Sequence, residues 1–250
     1  FYFFDEFISR EKSVKIDHAS EVEEFLLVAG KPLSYDEIFA GLAHISKEIH
    51  EQIANYKYEL CEISKENFNK FFIERDFISI NVTIPYKEKV IPYLDYTDEI
   101  ARSIGAVNTV VNKNGKLFGY NTDYYGLKSL IEKKQINIKD KKILILGTGG
   151  TSKTATVVVK NLGAKEIIYA SINGEIGTYT YDQIIKEHND AEVIINTTPC
   201  GMYPNNDGLL LDINLFKNLE GVVDVIYNPL QTKLLLNSKK NNIKYASGLY

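Results

Sequence analysis

The second half of the chain alternates short apolar runs with longer amphipathic stretches. "KKILILG" (141–147) is an apolar run stopped by glycine, and its length and isoleucine content predict a buried strand. "TSKTATVVVKNLG" (151–163) opens with cap-type residues and ends at Gly163, which predicts a helix. "KEIIYA" (165–170), "AEVIINT" (191–197) and "GVVDVIYNP" (221–229) predict three more strands, and "LQTKLLLNSKKNN" (230–242) a closing helix. Strands alternating with helices predict a parallel sheet with right-handed crossovers.

The middle of the chain predicts a hairpin. "NTVVNKNGKLFGYN" places Asn114-Gly115 between two β-rich runs, so Lys113 faces Lys116 and, counting outward, Asn108 faces Asn121. The turn thereby carries Asn108 to the end of the sheet that holds Asp123. Further forward, "ASEVEEFLLVAG" and "SKEIHEQIANY" predict helices, "YKYELCEI" (56–63) alternates like a strand, and "KENFNKFFIERD" suits a helix before the strand entering "SINVTIP". The first half is thus also α/β, with a sheet of its own. The charged stretch "KSLIEKKQINIKDKK" marks a division near 127–140, giving residues 1–34 as an extension, 35–127 as one domain and 128–250 as a second.

Composition narrows the function classes. Of 250 residues, 44% are apolar and 25% charged, enough for a buried core in one or two domains. A net charge of −4 gives no electrostatic footprint for nucleic acid or an anionic membrane. Residues 1–40 hold nine acids and four bases, so the remainder is near neutral. Cys61 and Cys200 stand far apart in no metal-ligand spacing, which argues for a reducing compartment and neither a disulfide framework nor a metal. No apolar run approaches the length of a membrane span, and "FYFFDEFISREK" lacks the plan of a signal peptide, so a cytoplasmic protein is expected.

"GTGGTS" (147–152) follows a predicted strand and opens a predicted helix. Glycine at 147 and 149, with small Ser152 in the third fingerprint position, lets the backbone approach a pyrophosphate at the helix N-terminus. The competing reading is a tight turn without a ligand. The second strand ends in "YASING", with Ser171 and Asn173 and no acid before Glu175; that disfavours NAD, yet no arginine stands there for the 2′-phosphate of NADP. In "SINVTIPYKEKV" (79–90), Lys87 sits in a polar loop after a strand, where α/β enzymes place their chemistry. Lys87 is otherwise a solvated charge, and Asp123 a helix cap before "YYGLKSL".

Taken together, "INVTIPYK", "IGAVNTVV", "GYNTDYYG", "LGTGG", "INTTPCGM" and "DVIYNP" occur in the order and spacing of the shikimate dehydrogenase family, and the chain resembles that family from about Tyr35 to Tyr250. The resemblance implies a substrate domain followed by a Rossmann NADP domain, with the active site in the cleft between. It implies NADPH-dependent reduction of 3-dehydroshikimate to shikimate, in aromatic amino acid and chorismate biosynthesis. By motif, Lys87 and Asp123 become the catalytic pair. Ser46, Asn81, Thr83, Asn108 and Tyr227 become substrate ligands. Gly147, Gly149, Gly150, Ser171, Thr197, Thr198, Met202 and Gly248 become cofactor contacts. His44 and His50 match positions around the substrate loop, where packing or capping is the competing role.

The chain departs from that pattern in places. The family loop "HS-x-S-P-x-x-H" holds the substrate carboxylate through two serines; here "AHISKEIH" keeps Ser46 alone and has Lys47 for the proline. After "GLY" the family runs on into a helix bearing a substrate-contacting glutamine. Residues 1–34 have no counterpart in the family, and a leader, an interaction arm or a fused upstream pathway domain are all open. Two other functions stay open: the same chemistry on quinate, and a non-catalytic dinucleotide- or partner-binding module, which would have little reason to keep both Lys87 and Asp123.

Overall fold

The computed structural model describes residues 58–61, 63–83 and 86–248. The described residues fall into two compact units, 58–76 and 77–248. In the first, α1 (Phe68–Glu74) buries Phe68 and Phe72 one turn apart, their ring centroids at 4.9 Å. The strand expected at 56–63 is not formed at 58–61 or 63; Leu60 is 46% exposed, so the apolar positions of that alternation do not line a buried face. The helices expected within 19–30 and 46–56 lie outside the described residues.

The larger unit carries two sheets. In the first, β1 (Ser79–Asn81), β2 (Tyr96–Thr97), β3 (Thr109–Lys113) and β4 (Lys116–Tyr120) run in the order β1-β3-β4-β2. Strands β3 and β4 form the expected hairpin, with Lys113 opposite Lys116. Asn114 and Gly115 have φ of 54° and 81°, and two positive φ values in succession are what a two-residue type I′ turn requires. Beyond the ladder, the Asn108 N–H donates to the Tyr120 carbonyl at 3.0 Å, so the register continues to the end that meets Asn121. Strand β1 ends at Asn81, and Thr83 lies exposed beyond it rather than within the strand.

Helix α2 (Glu99–Ile104) starts at Asp98, whose carboxylate accepts the Ile100 N–H at 3.0 Å, and stops at Gly105 with φ 73°. Helix α3 (Thr122–Lys133) follows the hairpin directly. Its cap is Asn121, whose side chain accepts from the Tyr124 N–H and donates to the Ala106 carbonyl at 3.0 Å.

The second sheet comprises β5 (Lys142–Leu146), β6 (Glu166–Ala170), β7 (Val193–Asn196), β8 (Gly221–Asp224) and β9 (Lys244–Ser247), all parallel, in the order β6-β5-β7-β8-β9. Helices α4 (Gly150–Asn161), α5 (Tyr181–Glu187) and α6 (Lys233–Lys240) fill its connections. Strand β5 shows why its run reads as continuously apolar. Ile143 and Ile145 pack on one face with α3 and α4, while Leu144 and Leu146 pack on the other with Ile184, Leu234 and Leu235. The strand expected over 221–229 ends at Asp224, leaving Tyr227 in the following loop. Leu127, at the expected division between domains, lies mid-helix in α3 and shares a core with Ala155 and Val158 of α4.

At the amino ends of the strands, Glu192 accepts from the Lys142 N–H at 3.0 Å and from Lys141 Nζ at 2.9 Å. Its own N–H donates to the Lys142 carbonyl at 2.9 Å, fastening β5 to the approach of β7. Among the described residues no helix is long and apolar enough to cross a membrane.

Candidate active site

The Lys87 ammonium donates to Asp123 Oδ2 at 2.7 Å across 36 residues of sequence. Lys87 stands in the turn that follows β1, and its carbonyl accepts the Val107 N–H at 2.8 Å, which ties that turn to the approach of β3. Asp123 lies in the first turn of α3, where the helix dipole favours an anion. Because Asn121 serves as the cap, the Asp123 carboxylate is left to meet the lysine. Side-chain exposures of 29% for Lys87 and 46% for Asp123 leave the pair open to a small molecule.

Polar groups line up beside this pair. Asn108 Oδ1 accepts the Thr122 N–H at 2.8 Å, and its Nδ2 donates to Thr122 Oγ1 at 2.9 Å. Asn108 thus pins the hairpin to the start of α3. The Thr109 hydroxyl lies 3.1 Å from Asn108 Oδ1 and 3.5 Å from Asn81 Oδ1. Asn81, Thr109, Asn108, Thr122 and Asp123 form a connected row of hydroxyl, amide and carboxylate groups on rigid elements, suited to a ligand with several hydroxyls. The motifs "IGAVNTVV" and "GYNTDYYG" contain Thr109 and Thr122, each beside a residue with an expected role. Thr83 is exposed, and Tyr227 is 39% exposed. Ser46, Lys47, His44 and His50 lie outside the described residues.

The glycine loop sits where the strand order reverses, between β5 and β7, the position at which open α/β sheets bind ligands. Gly147 has φ 101°, and a Cβ there would lie 2.9 Å from Thr198 Cγ2. Around Gly149 and Gly150 a Cβ would meet nothing within 4 Å, so the space above the loop is open. Helices α2, α3, α5 and α6 each receive a side-chain cap, whereas α4, which begins at Gly149, and α1, which begins at Asn67, do not. An uncapped helix start beneath open space fits the pyrophosphate of a dinucleotide.

The other expected cofactor contacts surround the same sheet edge. Ser171, at the end of β6, is buried; its hydroxyl accepts the Gly174 N–H at 3.1 Å and lies 2.8 Å from Thr178 Oγ1, closing a tight loop. Thr197 donates to the Leu146 carbonyl at 2.6 Å, and Thr198 donates to Asn196 Oδ1 at 2.7 Å. Met202 is half-buried after Gly201, with its N–H on the Pro199 carbonyl at 3.1 Å. Gly248 passes so close to Val225 that an added Cβ would meet the Val225 carbonyl oxygen, and its N–H donates to the Ile226 carbonyl at 3.1 Å. Glu88, next to Lys87, is ion-paired with Lys153 in the first turns of α4, so the Lys87 turn lies alongside the glycine-loop helix. Asn196 and Asp224, both buried, are functional candidates that periodicity alone concealed as strand-end polar residues. Burial holds the Asp224 carboxyl above its usual range, against the bonds from Thr232, Ile226 and Asn196 that lower it.

Known proteins resemble this chain in sequence and fold. Residues 41–110 match the family model of the shikimate dehydrogenase substrate binding domain. The curated shikimate dehydrogenase (NADP(+)) of Clostridium perfringens strain ATCC 13124 is 36% identical over 224 residues, covering 82% of this chain and 82% of the relative. The solved chorismate mutase/shikimate 5-dehydrogenase fusion of Clostridium acetobutylicum superposes with TM-score 0.73 at 29% identity, covering 96% of this chain and 83% of that one. The Thermus thermophilus shikimate 5-dehydrogenase, solved with NADP(H) and shikimate, gives TM-score 0.69 at 25% identity over 82% of this chain and 80% of that one. Identity at this level, over most of both chains and with the two-sheet architecture intact, places the protein: it belongs to the shikimate dehydrogenase family.

Proposed function

We propose that the protein is an NADP-dependent shikimate dehydrogenase, an oxidoreductase that interconverts 3-dehydroshikimate and shikimate in aromatic amino acid biosynthesis. The observation that carries this reading is the Lys87–Asp123 contact at 2.7 Å, between residues brought together only by the fold. The relatives' names, the tight turn at Gly147 and the open space at Gly149 and Gly150 support the cofactor.

When bound, the reduced nicotinamide supplies a hydride to the ring carbonyl carbon. The carbonyl oxygen then gains negative charge and needs a proton within hydrogen-bond reach. Lys87 presents an ammonium that polarises this oxygen and gives up the proton. Asp123 holds the ammonium in place and accepts from the hydroxyl beside the reacting carbon. In oxidation the same groups run in reverse, Lys87 taking the hydroxyl proton. Asn81, Thr83 and Asn108 bind the ring hydroxyls, Tyr227 borders the ring, and Ser46 takes the carboxylate. Thr197, Thr198 and Met202 wall the nicotinamide, while Ser171 and Gly248 complete the cofactor contacts.

In this reading residues 35–127 form the substrate domain and 128–250 the dinucleotide domain, and the protein works in the cytoplasm. The C. acetobutylicum fusion covers more of this chain than the Thermus enzyme does, 96% against 82%, which supports residues 1–34 belonging with an upstream pathway domain. The test is reduction of NADP+ by the purified protein with shikimate, followed by the absorbance of reduced nicotinamide, with quinate and NAD+ run in parallel. Turnover with shikimate and NADP+ is expected to exceed the other combinations. Turnover with quinate alone would reassign the substrate, and none with any combination would leave a binding module.

A further inference from the structure

Resting on the placement of the nicotinamide at Thr197–Thr198, we propose that Asp224 is a positioning residue for the cofactor site, orienting the 197–200 turn through Asn196 and the Tyr227 segment through Ile226. Asp224 closes β8 with no exposed surface and is paired in register with Asn196 at the end of β7. Its Oδ1 accepts Asn196 Nδ2 at 3.0 Å and the Ile226 N–H at 3.1 Å. Its Oδ2 accepts the Thr232 hydroxyl at 2.7 Å. These three donors are neutral, so a buried carboxylate is retained here without an ion pair among them, a costly choice for packing alone.

The carboxylate imposes a direction. An ionised carboxylate only accepts, so Asn196 must turn its amide nitrogen toward it. Asn196 Oδ1 then faces the other way and accepts both the Thr198 N–H at 3.1 Å and the Thr198 hydroxyl at 2.7 Å. With its proton committed, the Thr198 oxygen accepts the Cys200 N–H at 3.2 Å. The relay ends against the glycine loop, where Thr198 Cγ2 lies beside Gly147. The second arm holds Ile226, next to Tyr227, and the Ile226 carbonyl in turn accepts the Gly248 N–H at 3.1 Å. Thr232, the third partner, caps α6. The Asp224 carboxylate and the Thr198 N–H therefore hold Asn196 from its two ends, nitrogen toward β8 and oxygen toward the cofactor-facing turn, whereas an amide at 224 can turn its own nitrogen toward Asn196 Nδ2 and lose that bond.

The experiment uses the whole protein with NADP+ titrated calorimetrically, folding checked by thermal melting, and steady-state constants for both substrates. Asp224→Asn is expected to weaken NADP+ binding about tenfold, the value of one lost hydrogen bond, while KM for shikimate at saturating cofactor changes less than about twofold. The exchanged pair Asn196→Asp/Asp224→Asn restores an acceptor toward Thr198 and should recover part of that affinity. Thr198→Val cuts the relay at its far end without touching the buried carboxylate, and should weaken NADP+ binding even if Asp224→Asn fails to fold. Unchanged NADP+ affinity in folded Asp224→Asn, or in Thr198→Val, overturns the proposal. So does an equal loss for both substrates that the exchanged pair does not relieve. A wild-type protein that binds NADP+ but does not oxidise shikimate would instead overturn the functional reading and leave the relay standing.

Discussion

Replacing Lys87 with alanine removes the ammonium that donates to Asp123 at 2.7 Å. The two side chains are 29% and 46% exposed, and pairs exposed to this degree contribute up to about 1 kcal/mol to folding after screening. For a chain of this size that corresponds to a melting shift of roughly 2–4 °C at most. Loss of a general acid costs far more at the transition state, typically about 10²–10⁴ in rate, or about 2.7–5.4 kcal/mol. Stability and turnover are therefore expected to separate: Lys87→Ala melts almost like the wild type, keeps its KM for shikimate within a few-fold, and loses most of kcat. Asp123→Asn should also lose kcat, and the double variant should be little worse than the worse single one, because the two groups act as a unit. The assay is steady-state oxidation of shikimate at saturating NADP+, beside a thermal melt of each variant. A Lys87→Ala enzyme within a few-fold of wild-type kcat refutes the proton-transfer role, and fully additive losses refute the coupling.

Gly149→Val places a branched side chain in the open space at the start of α4 and should weaken NADP+ binding in a protein that still folds; calorimetry showing unchanged affinity argues against a pyrophosphate there. Ser46→Ala should raise KM for shikimate by about 10–150-fold with a smaller change in kcat, since a charge-assisted bond to the carboxylate is worth roughly 1.5–3 kcal/mol and is made in ground and transition states alike; an unaltered KM would mean that this loop does not hold the carboxylate. Glu192 is held below its usual range first by the Lys142 N–H and then by Lys141, so its contribution to stability is present above pH 4.5 and lost as pH falls through its folded value. Denaturant melts of wild type and Glu192→Gln should therefore converge on acidification, and a gap that stays constant from neutral pH downward contradicts the linkage.

What could be read before folding was the local chemistry. Asn114-Gly115 determined the hairpin and its register because the positive-φ turn admits few other residues. The apolar runs of β5, β7 and β8 announced strands buried on both faces, and the glycines after β5 announced the switch point. Four elements passed unnoticed, among them β2, a pair of residues too short to show a period. Asp98 and Gly105 bracket α2, and Thr180 with Gln183 forms a capping box for α5, but both helices are short and their apolar periodicity is brief. Strand β9 has only four residues, and its parallel pairing with β8 is long-range. At the candidate site, motif order singled out Lys87, Asp123 and Asn108, and the fold brings Lys87 to Asp123. The roles of Asn121 as cap, Thr122 as partner of Asn108 and Asp224 as hub depend on which groups the fold brings within about 3 Å.

Helix α3 has a mechanical consequence for catalysis. Its first turn bears Asp123 and is pinned by Asn108 to the hairpin, while Leu127, Leu130 and Ile131 are sunk in the core shared with α4 and β5. Tyr124, adjacent to Asp123, accepts a hydrogen bond from Asn161 Nδ2 at 2.9 Å, at the end of α4. The helix is thus a strut: its packing on α4, together with the Glu88–Lys153 ion pair, holds Asp123 at a fixed separation from the glycine loop, rather than the connecting loops doing so. Lengthening the 134–141 connector should leave that separation intact. Repacking the α3–α4 seam, far from any ligand, should detune the enzyme.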